Sequence, residues 1–177
     1  MTIAAQFIER SRQYLGHEYP EKIRLCLDIL PADAVWQRSD TDSNSIGNLL
    51  LHLEGNVRQW IVTNVGGGDD VRRRSAEFAA FTGDEADVLF GRLRATLDEA
   101  DAVIAALSAA DLETRRNIQG RDVSVFDAIY HVVEHFSLHM GQIILLTKQS
   151  VPGSIRFYED AGGLAIPRWR DEAQKKQ

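Results

Sequence analysis

An all-α fold, a four-helix bundle with an irregular C-terminal tail, is what the 177-residue sequence predicts. Three observations predict it. Four long stretches repeat apolar residues at the spacing of a buried helix face. Caps, glycines and prolines punctuate their ends. No alternating run is extensive enough to build a sheet; short pieces such as "RDVSVF" stand isolated. A chain of this length fits one domain, residues 1–177, and can bury about 70% of its unfolded surface.

The first helix is expected over residues 3–30, with Phe7, Tyr14, Leu15, Ile23, Leu27 and Leu30 on its apolar face. Pro20 cannot donate an interior hydrogen bond, so a kink or break is expected near Glu18-Tyr19. A loop follows, in which Asp42, Ser43, Asn44 and Ser45 are N-cap candidates. The second helix, residues 45–64, ends at Gly66-Gly67-Gly68. Residues 65–82 form a long Gly-, Asp- and Arg-rich connection, and long loops are often functional. The third helix, 84–108, has Leu89, Leu93, Leu97, Ala100, Ile104 and Leu107 in one stripe. Ser124 and Asp127 form a capping-box-like start to the fourth, 124–149, before Pro152-Gly153. The tail, 150–177, is read as irregular, with Trp169 pinning part of it to the body.

Net charge is −6 and the pI is near 5.3, which argues against a nucleic-acid partner, since that affinity comes from cationic charge. The basic knot Arg72-Arg73-Arg74 is bracketed by Asp69, Asp70 and Glu77 and reads as a solvated loop. Cys26, the single cysteine, lies in "KIRLCLDIL" and reads as buried and inert. The first residues lack a signal-peptide apolar run, and no window approaches a membrane span. A cytoplasmic protein with no membrane partner is expected.

Three of the five histidines, His131, His135 and His139, fall at steps of four in "HVVEHFSLHMGQI". On a helix they span roughly 80° of arc beside Val132, Phe136 and Ile143. Charging all three there is costly, because like charges repel and burial disfavours the cation. Coordination uses the neutral form instead. Residues eight apart stand about 12 Å apart along the axis, too far to share an ion with bonds of about 2.1 Å. The ion therefore takes either His131 and His135 or His135 and His139, with a third ligand from elsewhere. His52, in "NLLLHLEGNVRQW", supplies it from the second helix. A His₃ set leaves a position open for water or substrate. His17 reads as surface. "HVVEH" also matches the H-x-x-E-H pattern of inverted zinc proteases, with Glu134 as base, but the chain lacks the bulk of those enzymes.

On "NLLLHLEGNVRQW", "RRRSAEF" and above all the His-x-x-x-His-x-Gly-Gln element (His135, His139, Gly141 and Gln142), the chain resembles the DinB/YfiT-like superfamily of helical, metal-binding bundles. The likeness covers most of residues 1–149. It implies that the metal ligands are His52, His135 and His139, with His131 a pocket neighbour. Family members often carry a further histidine where this chain has Leu138, so any role for it is absent here. The superfamily includes thiol-dependent transferases and isomerases, and proteins described as metal-dependent hydrolases.

The expected function is therefore a metal-dependent enzyme holding Zn²⁺ or Ni²⁺. It would activate water or a low-molecular-weight thiol for hydrolysis or S-transfer on a small electrophilic molecule. Asn48, Asn56, Gln142 and Glu134 are candidates to orient ligands or substrate. The alternative is a non-catalytic metal-binding bundle with a structural, sensing or dimerising role. A homodimer is expected from Trp36, Phe78, Phe81 and Trp169, which need burial.

Overall fold

A computed structural model describes residues 1–167 of the chain. The fold is mostly helical, with two small antiparallel sheets toward the C-terminus. Helix α1 (Ile3–Gln13) passes through a π-helical turn, Tyr14–Glu18, into α2 (Tyr19–Ile29). The disturbance starts at Tyr14, a full turn before the expected site. Pro20 has no N–H for the carbonyl four residues back, which belongs to Gly16. Arg94 donates to that carbonyl at 2.6 Å.

Helix α3 (Ile46–Val57) starts in a capping box. Ser45 accepts from the Asn48 N–H, and Asn48 Oδ1 accepts from the Ser45 N–H. The helix continues as a π-helical stretch, Arg58–Thr63, and stops at the glycines, where Gly67 has φ +93°. The connection that follows contains a short helix, α4 (Arg74–Ala79). Helix α5 spans Ala86–Ala105 and α6 Val125–Ser150. Ser124 and Asp127 form the expected capping box. Helix α3 packs against α5 and α6, and α2 against α6. Ile23, Leu53, Leu93, Val132 and Phe136 lie at the centre of the core, fully buried.

Strands are where the expectation fails. β1 (Arg115–Ile118) and β2 (Arg121–Ser124) pair through Gln119-Gly120. Both turn residues have positive φ, +53° and +76°, the geometry that a two-residue hairpin requires. "RDVS" was thus not isolated: its partner is the preceding "RRNI", which charge disguised. In the tail, β3 (Tyr158–Ala161) and β4 (Leu164–Pro167) pair around Gly162-Gly163 in the same way. Trp169 lies outside the described residues.

Two further expectations resolve by burial. Cys26 is fully buried, and desolvation pushes its thiol up to about 11. Trp36 is consumed within the chain. It covers Gly47 and Gly83, where any Cβ would collide with its ring, and its Nε1 donates to Asp84 O. Among the described residues no helix is long and apolar enough to cross a membrane.

Candidate metal centre

Helix α3 turns its His52 side toward α6, from which His135 and His139 project one turn apart. One ligand nitrogen from each of the three lies within 4.8 Å of the others. Their rings form a near-equilateral triangle, with centroid separations of 5.0, 4.9 and 4.4 Å. His52 Nε2 faces His135 Nε2 at 2.9 Å. Two imidazole lone pairs at that distance repel unless a proton or a cation lies between them. Tetrahedral bonds of about 2.1 Å separate ligand nitrogens by roughly 3.4 Å. The His52–His135 pair would open by about half an ångström to share an ion.

The outer nitrogens are held. Glu77 Oε2 lies 2.8 Å from His52 Nδ1. Arg72 Nη2, a donor only, also lies 3.1 Å from Nδ1, but Glu77 is the nearer partner. A carboxylate only accepts, so Nδ1 carries the proton toward Glu77 and the lone pair of Nε2 is left to ligate. On α6, Gln142 Oε1 accepts from His139 Nδ1 at 2.7 Å, which fixes that ring in the same sense.

Glu77 comes from α4 and is the site residue that sequence reasoning missed. It counted there only as a charge flanking the arginines. The expectation of a solvated basic loop fails at Arg72, whose side chain is 6% exposed. Arg72 binds Glu77 with both arms of its fork, Nε to Oε1 at 2.7 Å and Nη2 to Oε2 at 2.8 Å. Arg73 and Arg74 are exposed, as expected. The sequence signal for the pair was Gly55. A Cβ there would fall against Glu77 Oε1 and 3.0 Å from Arg72 Nε, so glycine gives the ion pair its seat against α3.

The remaining candidates separate. Asn48 is fully buried, and its Nδ2 donates to Glu77 O at 2.7 Å and Ala80 O at 2.8 Å. It fastens α4 to α3 rather than facing the histidines. His131 lies outside the three-histidine cluster, its ring tilted against Trp60 at 4.1 Å between centroids and its Nε2 3.4 Å from Asn56 Nδ2. Glu134 is exposed. The inverted-protease pattern thus finds its two histidines stacked at 5.2 Å between centroids, but only His135 in the three-histidine cluster.

Burial is the largest influence on the α6 imidazoles. Desolvation, with help from the neighbouring histidines, pushes His135 down to about 3. His131 and His139 are lowered too, chiefly by burial. These rings are neutral at pH 7, the form that ligates. Burial alone would raise Glu77, but hydrogen bonds from Arg72 and His52 outweigh it and hold the carboxyl below its usual range. Arg72 and Glu77 also line a cavity of about 470 Å³ with Leu51, Gly55, Gln59 and Ala76.

A family model described as "Protein of unknown function (DUF1572)" matches residues 2–158 of the chain. No curated protein matches it.

Proposed function

Because the chain belongs to the DUF1572 family, whose description assigns no activity, we propose a function from the site itself. The protein is a four-helix bundle of the DinB/YfiT type that binds a divalent cation, Zn²⁺ or Ni²⁺, through His52, His135 and His139. It acts on a small electrophilic molecule by hydrolysis or by transfer of a low-molecular-weight thiol. The observation that carries this reading is the convergence of three histidine nitrogens within 4.8 Å, two of the rings held by Glu77 and Gln142. When bound, such a cation supplies Lewis acidity that lowers the pKa of a water or thiol near neutrality.

The chain's own residues do the rest. Glu77 keeps the proton on His52 Nδ1, and Gln142 does so on His139. Burial keeps His135 neutral. His131 and Asn56 flank the cluster and would orient a substrate. A purely structural cation predicts a fourth protein ligand. Glu77, a carboxylate beside the cluster, is occupied by Arg72 and His52 Nδ1, so it is not free to be that ligand. A homodimer would use Phe81 or the outward residues Phe126 and Tyr130 of α6, all exposed; light scattering after gel filtration reads it.

Metal analysis of the purified protein and its variants tests the site. His52→Ala, His135→Ala and His139→Ala should each abolish stoichiometric metal, and His131→Ala should keep it. Metal that survives both His52→Ala and His139→Ala removes the His₃ reading. Turnover of 1-chloro-2,4-dinitrobenzene with and without added cysteine or glutathione then separates thiol transfer from hydrolysis.

A further inference from the structure

The cavity of about 470 Å³ between α3, α4 and the irregular segment before α4 falls in the size range of small-molecule sites. Both acids and bases line it, and most are already matched. Glu54 accepts from Arg58 Nε at 2.9 Å, and Arg72 grips Glu77. Asp70 accepts from Gln59 Nε2 at 2.6 Å and from the Arg72 N–H at 3.1 Å. Asp69 and Arg73 are what is left. Among the described residues their side chains make no hydrogen bond or ion pair, not even with each other.

Val71 lies midway between these two along the chain and also lines the cavity. It is 80% exposed, and Leu51 and Ala76 add further apolar wall. One free acid, one free base and an uncovered aliphatic surface suit a ligand that carries both charges. A simple anion would gain Arg73 and meet the repulsion of Asp69 and Asp70; a simple cation would meet the reverse from the arginines. A zwitterion satisfies both and leaves the net charge of the cavity unchanged. The planar fork of Arg73 matches a carboxylate, and the carboxylate of Asp69 accepts from an ammonium. A short hydrocarbon group over Val71 and Leu51 removes apolar surface from water, which is favourable.

We propose that this cavity binds a small aliphatic zwitterion of the α-amino-acid class, with its carboxylate on Arg73, its ammonium on Asp69 and its side chain on Val71 and Leu51. None of the three clustered histidines lines the cavity, and the proposal does not rest on the metal reading.

Calorimetric titration of the full chain at neutral pH with leucine, 4-methylpentanoate and 3-methylbutylamine tests it. The last two share the leucine skeleton, but each lacks one of its charges. Leucine should saturate one site per chain, and each analogue should bind at least tenfold more weakly. Arg73→Gln and Asp69→Asn each remove one charge at an exposed position. Each should weaken leucine about tenfold or more without moving the thermal midpoint. Ala76→Trp, which places a large ring in the cavity, should abolish binding. The proposal is overturned if leucine does not bind, if either analogue binds as tightly as leucine, or if leucine affinity ignores both charge removals. It is also overturned if leucine binding survives those changes but is lost in His52→Ala, which would place leucine at the histidines.

Discussion

Gly55→Ala separates two opposed effects at a position that touches no histidine. By propensity alone, alanine in a helix interior is worth about 1 kcal/mol over glycine. The variant should therefore be more stable if Gly55 merely completes α3. The structure says otherwise, because the new methyl group meets Glu77 Oε1 and Arg72 Nε. To admit it the carboxylate must shift, loosening charge-assisted bonds to Arg72 and His52 worth about 1.5–3 kcal/mol each when wholly lost. Glu77 ends in a flexible side chain and keeps part of them. Net destabilisation should be about 1–2 kcal/mol once propensity is subtracted, a fall of roughly 5 °C in a chain of this size. Loosening a partner of a ligating histidine should also cost about tenfold in metal affinity. Thermal unfolding of the metal-free protein and zinc titration against a chromophoric chelator read the two effects. A midpoint that rises with unchanged zinc affinity would refute the claim that Glu77 is fixed against His52 through this seat.

Further outcomes follow from the same geometry. The folded protein holds His135 near 3, and His131 and His139 below their ordinary 6.5. Between those values the unfolded chain binds more protons. Stability of the metal-free protein should thus be fully present above about pH 6.5 and fall as the pH drops toward 3. Urea melts from pH 7.5 to 4.5 should show the slope, and His135→Ala should flatten it. Ser45→Ala removes a fully buried cap and should cost about 1–2 kcal/mol in denaturant midpoint; a change below about 0.3 kcal/mol would contradict the cap geometry. Cys26, with its thiol pushed up to about 11 and no exposed surface, should resist iodoacetamide in the native protein and react on unfolding, as mass spectrometry can follow.

Helices were legible because each carries its own signal. The Ser124–Asp127 box and the leucine stripe of α5 lie within a few residues of one another, and local pattern was enough. The three histidines were legible for the same reason on α6, while His52 needed the resemblance or an assumed packing of α3 on α6. What local pattern could not carry was pairing across a turn or a loop. β1 reads "RRNI", and its charged side chains hide a strand that exists only because Gln119-Gly120 folds "RDVS" back onto it. Arg72 reads as solvent-loving, and only the glycine at position 55, on another helix, leaves room to bury it. The Pro20 break was foreseen but displaced: the freed carbonyl of Gly16 is met by Arg94, and the π-helical turn begins at Tyr14.

The burial of Arg72 has a chemical reason. A lone Glu77 in that position would be driven toward its neutral form by desolvation. Protonated, it could no longer be relied on to hold the Nδ1 proton of His52. Arg72 keeps it ionised, and the pair as a whole is neutral, so it orients the imidazole without adding net charge. The three imidazoles add none either. A divalent cation among them would keep its charge undamped toward its remaining position, which is the condition for acidifying a water or a thiol. Arg72 is in turn held by Gln59, whose Oε1 accepts from Arg72 Nη1 at 2.9 Å and from Gln119 Nε2 at 2.7 Å. Gln119 is the non-glycine residue of the two left-handed positions in the β1–β2 turn. The hairpin that the sequence hid therefore reaches the site, through Gln59 and Arg72 to Glu77, and its strained turn residue is placed to hold the arginine still.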